Sequence, residues 1–128
     1  MKTISLSQGM GRSKVSLSAQ WMGRDLIVCL FNEQPHLGAV AVSEYSEEEK
    51  RASTSVITRL GHKDDSVAHK AAYELCKCLK RPVCVIAGIH VDNITEEEIA
   101  IIVENCNELI EKLSRHSAVL NRQKHHPL

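Results

Sequence analysis

The spacing of apolar residues changes near residue 66 of this 128-residue chain. Before that point apolar and polar residues alternate or form short apolar runs, which is typical of β-strands. From Ala68 to Leu79 the apolar residues recur three and four positions apart, which predicts an amphipathic helix that ends before Pro82. A further apolar segment, residues 83–91, and a second helical stripe follow. The predicted element order is therefore β-β-β-β-β-α-β-α.

This order predicts an α+β fold, an α/β sandwich in which a five- or six-stranded, mainly antiparallel sheet carries two helices on one face. The helix between the fifth and sixth strands is a crossover, which favours a parallel arrangement of those strands as neighbours or near-neighbours. The length fits one domain over residues 1–113. Residues 114–128 lose the periodicity and are expected to form a frayed tail.

Three predicted strands are apolar on both faces, namely residues 26–31, 37–42 and 83–91. Two helices can cover only one face of such a sheet. The second face therefore needs another cover: an N-terminal hairpin, a partner subunit or a ligand. The segment at residues 44–52, EYSEEEKRA, is so charged that we expect a solvated loop or a single helical turn there.

The second helix has a clear predicted start. Thr95 is a favourable N-cap residue, and Glu98 three positions later completes a capping box. The first helix offers Asp64 or Asp65 as its cap. The stripe of the second helix that should be buried is Ile99, Ile102, Val103, Cys106, Leu109, Ile110 and Leu113.

Composition argues against several functional classes. Sixteen basic and sixteen acidic side chains give a formal net charge of +0, whereas proteins that bind nucleic acid through phosphates carry a basic excess. No apolar stretch approaches the roughly 20 residues that cross a bilayer, and no signal-peptide pattern precedes the first strand. We expect a soluble cytoplasmic protein. Its five cysteines lack the spacing of a zinc knuckle and are expected to be reduced structural thiols.

Polar residues that folding alone does not require collect at the ends of predicted elements. Three histidines lie there, each near a glycine, and the crevice beyond the carboxyl ends of strands is a common place for a ligand. His36 precedes its strand, so it joins the other two only if that strand runs antiparallel to its neighbours. The candidate site residues are His36, Gly38, His62, Lys63, Gly88, His90 and Asp92.

Several functions suit this set, and the residues alone do not choose between them. Lys63, a protonated His62 and the start of the first helix could hold a phosphate, although the two aspartates that follow oppose an anion. The three histidines with Asp92 could bind a metal, but they lack paired-ligand spacing. A histidine paired with Asp92 could serve an enzyme acting on a small phosphorylated or carboxylated substrate, although no nucleophile is evident. A homo-oligomeric interaction subunit, whose apolar sheet face pairs with itself, is a further reading.

Three segments carry a resemblance to a known family. They are QPHLGAVAV at residues 34–42, GHKDD at 61–65 and GIHVDNI at 88–94, and the opening GMGR at 9–12 is similar as well. In this order they resemble the prenylated-flavin chaperone-like family, typified by the small D subunit of the gallate decarboxylase system. The resemblance covers about residues 3–113, nearly the whole predicted domain.

The resemblance implies a non-catalytic accessory protein. Such a protein binds reduced prenylated FMN as cargo and carries it from a flavin prenyltransferase to a UbiD-like decarboxylase. It implies no catalytic residue and no metal. The residues that it makes candidate cofactor contacts are His36 and Gly38 of the first segment, His62 and Lys63 of the second, and His90 and Asp92 of the third, and Gly88 joins them as the gap on the face of its strand.

Overall fold

The computed structural model describes residues 2–59, 64–116 and 119. Its strands and helices follow the predicted order, with a short 3₁₀ turn, Gly11–Ser13, between the first two strands. The elements are β1 Thr3–Gln8, β2 Val15–Met22, β3 Asp25–Phe31, β4 Ala39–Ser46, β5 Arg51–Thr58, α1 Asp65–Leu79, β6 Val83–Gly88 and α2 Glu96–Ser114.

The six strands form one mixed sheet in the order β1-β2-β3-β6-β4-β5. The pair β3–β6 is parallel, and the other four pairings are antiparallel. The predicted α+β class and the mainly antiparallel sheet are therefore confirmed. Strands β5 and β6 run in the same direction but are near-neighbours, because β4 lies between them and pairs with both.

Both helices pack on one face of the sheet, α1 over β4, β5 and β6, and α2 over β1 and β2. The predicted stripe of α1 is buried in full, and the capping box of α2 is present. Two predicted core residues of α2, Ile99 and Val103, are instead exposed. Val103 lines a cavity between α1 and α2, so this position of the predicted stripe is not packed against α1.

The charged segment at residues 44–52 is not a solvated loop, as the sequence suggested, but the end of a β-hairpin. Strand β4 runs to Ser46, and β5 starts at Arg51. Tyr45 pairs with Ala52, and both pack against the core. The charged run hides this alternation, because most of its charges lie in the four-residue turn at 47–50.

Four of the cysteines are buried or half-buried small side chains, and Cys78 is exposed. All five lie in the described part of the chain, and none forms a disulfide. Burial raises the pKa of the Cys106 thiol to about 12, so this thiol stays protonated at neutral pH. Among the described residues no helix is long and apolar enough to cross a membrane.

Candidate functional site at one edge of the sheet

The predicted site residues that the structure describes lie at one end of the sheet, called the histidine edge, where β3, β5 and β6 end and β4 begins. Phe31, the last residue of β3, pairs with Gly88, the last residue of β6. Ala39, the first residue of β4, pairs with Ala87 and with Thr58 near the end of β5. The loops that follow β3, β5 and β6 and the loop that precedes β4 therefore meet at this edge.

His36 and His90 converge there from different segments. Their ring centroids are 6.2 Å apart, and the ring planes meet at 83°, an edge-to-face arrangement. The contact depends on β4 running antiparallel to β6, because only then does the start of β4 lie beside the end of β6. From the sequence, His36 joins the other histidines only if β4 runs antiparallel to its neighbours, and in the structure it does.

Each of these histidines lies against a carboxylate. His36 Nε2 is 3.3 Å from Asp64 Oδ2, and both side chains are mostly buried. His90 Nε2 is 2.8 Å from Asp92 Oδ1, and both of these side chains are mostly exposed. The hydrogen bond from His90 lowers the pKa of the Asp92 carboxyl below its ordinary value of 3.8. The edge thus holds one sheltered and one solvated histidine–carboxylate pair.

Asp64 is a site residue that the sequence offered only as a helix cap. It stands at the N-cap position of α1, but its side chain makes no capping hydrogen bond. Its Oδ1 instead accepts the backbone N–H of Ile89 at 3.2 Å, while Oδ2 faces His36. Asp64 therefore ties the start of α1 to the end of β6 and to the loop before β4. The signal for it was its place in the GHKDD segment, next to the predicted contacts.

Asn32 is a second residue that the sequence did not single out. It is buried, its amide nitrogen donates to the His90 carbonyl at 2.7 Å, and its amide oxygen accepts the His90 N–H at 3.2 Å. These bonds replace the strand pairing that β6 loses after Gly88. For this reason β6 ends at Gly88 and does not extend to residue 91, as the apolar pattern predicted.

The space beside the two predicted glycines is filled by protein. A Cβ on Gly88 would lie 1.4 Å from the His36 carbonyl oxygen, and a Cβ on Gly38 would lie 1.9 Å from Asp64 Oδ2. The glycines are needed because backbone and carboxylate atoms approach them closely. Contact with a ligand through their own backbones stays a prediction.

Arg12 joins the 3₁₀ turn to the loop between β6 and α2. Its guanidinium donates to Glu98 Oε2 at 2.9 Å and to the carbonyl oxygen of Asp92 at 2.6 Å. Glu98 also completes the capping box by accepting the Thr95 N–H at 3.1 Å. Arg12 therefore fixes the backbone of Asp92, a predicted contact, to the start of α2. Its place in the GMGR opening was the sequence signal for this residue.

We expect Glu98→Gln to destabilise the protein more at pH 7 than at pH 3. The Thr95 N–H, and then Arg12, lower the pKa of the Glu98 carboxyl below its ordinary 4.5. A carboxyl whose pKa is lowered by folding stabilises the fold above its unfolded pKa, and this contribution disappears as pH falls through the lowered value. Thermal unfolding at both pH values measures the effect. Glu97→Gln, in the same turn, is the matched control, and equal losses for the two variants would contradict the assignment.

The site is shallow. A depression of about 60 Å³ lies beside His90, between Arg12, Lys14, Asn32 and Asp92. Ligand-binding cavities typically measure about 300–1,000 Å³, so this depression does not enclose a molecule of flavin size. A larger cavity of about 420 Å³ lies between α1 and α2, but it contains none of the predicted contacts.

Two predicted contacts, His62 and Lys63, lie outside the described residues. Within residues 2–59, 64–116 and 119, no three His, Cys, Asp or Glu side chains are arranged as a metal site. The metal hypothesis also needed His62, so its full ligand set is not described.

Comparison with known proteins gives a fold relative and a family. One solved chain, from the crystal structure of a novel chaperone complex for yeast 20S proteasome assembly, has a TM-score of 0.60 and 16% identity, with 95% of this chain and 96% of that chain covered. At this identity the likeness shows the fold alone. No curated protein sequence matches the chain. The family model of the prenylated flavin chaperone LpdD-like domain matches residues 9–118, a span that contains every predicted site residue, and the protein therefore belongs to this family.

Proposed function

We propose that this protein binds reduced prenylated FMN and delivers it to a UbiD-like decarboxylase without catalysing a reaction itself. The observation that carries the proposal is the convergence of His36 and His90 at the edge of the sheet. Family membership supports the kind of cargo. The cargo would come from a flavin prenyltransferase, and the exchange would take place in the cytoplasm.

The two histidine–carboxylate pairs suit the polar rim of a flavin. A flavin ring system presents carbonyl acceptors and a ring N–H on one side. When Nε2–H of a neutral imidazole faces a carboxylate, Nδ1 is left as an acceptor, and protonation turns it into a donor. His90, the solvated histidine of the two, can therefore meet either kind of group on the ring. Asp64 and Asp92 hold the two imidazoles in place for this contact.

The openness of the site suits a carrier better than an enzyme. A depression of about 60 Å³ leaves most of a flavin outside the protein surface. A cargo that is held at one rim can be passed on without a large conformational change.

The phosphate of the cargo needs cations. Lys63 and His62 are the sequence-predicted contacts for it, and they directly precede Asp64, which contacts His36. Lys14 lines the depression beside His90 and adds a further cation. We propose that Lys63 and His62, and not Lys14, hold the phosphate. The reason is that the Asp92 carboxylate lines the same depression as Lys14 and would repel a phosphate there.

The binding step is tested by titrating the protein with reduced prenylated FMN under anaerobic conditions. We expect His36→Ala and His90→Ala to weaken binding at least about tenfold each, equivalent to about 1.4 kcal/mol. His69→Ala is the matched control, because His69 is an exposed histidine on α1 that stacks on Tyr73 and lies outside the site. Unchanged binding in both site variants, or no binding by the wild type, contradicts the proposal.

The delivery step has its own measurement. The loaded protein is mixed with an apo UbiD-like decarboxylase, and the recovery of decarboxylase activity is compared with that from free reduced prenylated FMN at the same concentration. We expect faster or more complete recovery with the loaded protein. Equal recovery from the free cofactor would leave binding intact but contradict delivery.

A further inference from the structure

The sheet face opposite the helices carries an apolar patch. Side chains alternate between the two faces of a strand, and the buried residues of β3, β4 and β6 lie on the face that carries α1 and α2. The residues between them point the other way. On the three central strands these are Ile27, Cys29, Val40, Val42, Cys84 and Ile86, which we call the open-face patch.

The strand register makes the patch continuous. Cys84 pairs with Ile27 on one side and with Val42 on the other, which forms one row across three strands. Ile86 pairs in the same way with Cys29 and Val40, and Ile57 of β5 extends this second row beside Val40. Val42 is 46% accessible and Ile57 beside the patch is 75% accessible, while the other five patch residues are half-buried.

Uncharged polar side chains border the patch. The first row continues through Gln20 and Thr3 on one side and Ser55 on the other, and the second continues through Ser18 and Ser5. Neither row contains a charged residue. Apolar contacts at the centre with a polar rim are the usual arrangement of a protein–protein interface.

Charge favours a second copy of this chain as the occupant. In a two-fold pairing, residues near the symmetry axis meet their own copies, so equal charges there repel, and a neutral surface avoids this repulsion. The charged residues on this face, Asp25, Glu44 and Arg51, lie toward the edge opposite the histidines. The patch therefore matches itself without a complementary charged partner.

The size of the sheet face opposite the helices also fits a dimer interface. Six strands spaced about 4.8 Å apart and roughly 23 Å long give about 550 Å² in projection, and side-chain relief raises the accessible area toward the roughly 800 Å² that each partner contributes to a standard interface. Two such sheets can pack face to face at about 10 Å, with helices on both outer sides.

We infer that two copies of the chain pair through their open-face patches into a four-layer dimer of helices, sheet, sheet and helices. The inference goes beyond flavin binding and is independent of it. It answers the question of what covers the second face of the strands that are apolar on both sides. The loop before β4 lies over Gly88. The His36 carbonyl group therefore marks where the open-face patch ends, on the side where His36 and His90 lie.

The test is the solution mass of the ligand-free protein, measured by light scattering and sedimentation across a range of concentrations. We expect about twice the chain mass of 14.3 kDa. Val42→Glu should return the mass to that of one chain and weaken association at least about 100-fold, because the dimer would bury one carboxylate from each copy. Ile57→Glu is a second variant at a more exposed position. Its solution mass still tests the interface if Val42→Glu fails to fold.

The matched control is Ile101→Glu. Ile101 is 48% exposed on α2, close to the exposure of Val42, but it lies on the helix side of the molecule. We expect the Ile101→Glu protein to remain a dimer. A wild-type mass of one chain at all concentrations would overturn the inference. Dimers that persist in both Val42→Glu and Ile57→Glu would also overturn it, as would dimers that dissociate only in Ile101→Glu.

Discussion

Replacing Gly88 by alanine is expected to lower the free energy of unfolding by about 3 kcal/mol, among the larger effects of a single substitution. The new Cβ would lie 1.4 Å from the His36 carbonyl oxygen and 3.1 Å from the His36 nitrogen. Neither is the end of a flexible side chain, so the loop before β4 has to move. We expect binding of reduced prenylated FMN to fall as well, because His36 moves with its backbone.

Gly23→Ala is the control for this substitution. Gly23 has φ +62° and no atom within 4 Å of an added Cβ. Alanine there suffers only the cost of a left-handed backbone, about 1 kcal/mol. Chemical denaturation of the three proteins compares the losses. A Gly88→Ala protein as stable as Gly23→Ala would show that His36 does not lie over Gly88.

Replacing Asp64 by asparagine is expected to cost about 2 kcal/mol of the free energy of unfolding. One carboxylate oxygen accepts the Ile89 N–H, and the other faces His36. Asparagine keeps the shape but has a single acceptor oxygen, so its NH₂ group has to face either the Ile89 N–H or the His36 ring. Either the Ile89 N–H then loses its acceptor, or the His36 imidazole has to move its proton from Nε2 to Nδ1 to accept from the NH₂ group.

Asp65→Asn is the matched control for Asp64. Asp65 is exposed in the first turn of α1, so its loss removes only a favourable charge near the helix N-terminus, worth about 0.5 kcal/mol. Denaturation at pH 7 measures both variants, and the NMR signals of the His36 ring report on the local contact. Equal stability losses, or an unchanged His36 ring, would mean that Asp64 acts only at the helix end.

Much of the fold could be predicted because its signals are local. The stripe from Ala68 to Leu79, the capping box of Thr95 and Glu98, and the alternation in β2 each depend on residues close together in sequence. The hairpin of β4 and β5 was missed at Tyr45 and Ala52, because a charged turn hides the alternation. The exposure of Ile99 and Val103 depends on where α2 lies relative to α1, which no local pattern reveals.

The candidate site was predicted in part for the same reason. His36, His90 and Asp92 could be found because polar residues at the ends of apolar strands are locally conspicuous. Asp64, Asn32 and Arg12 were not found as site residues, since their partners lie 25, 58 and 80 positions away in the chain. An aspartate before a helix is locally indistinguishable from a cap.

The sequence by itself determined the types and order of the elements, the polar residues at their ends and the apolar character of both sheet faces. These properties follow from periodicity and from the chemistry of neighbouring residues. The tertiary structure decided which ends meet. The strand order β3-β6-β4 brings His36 beside His90, places Asp64 between two segments and lets a carbonyl group occupy the space that Gly88 leaves. These contacts join distant parts of the chain, and only the packing of the whole sheet specifies them.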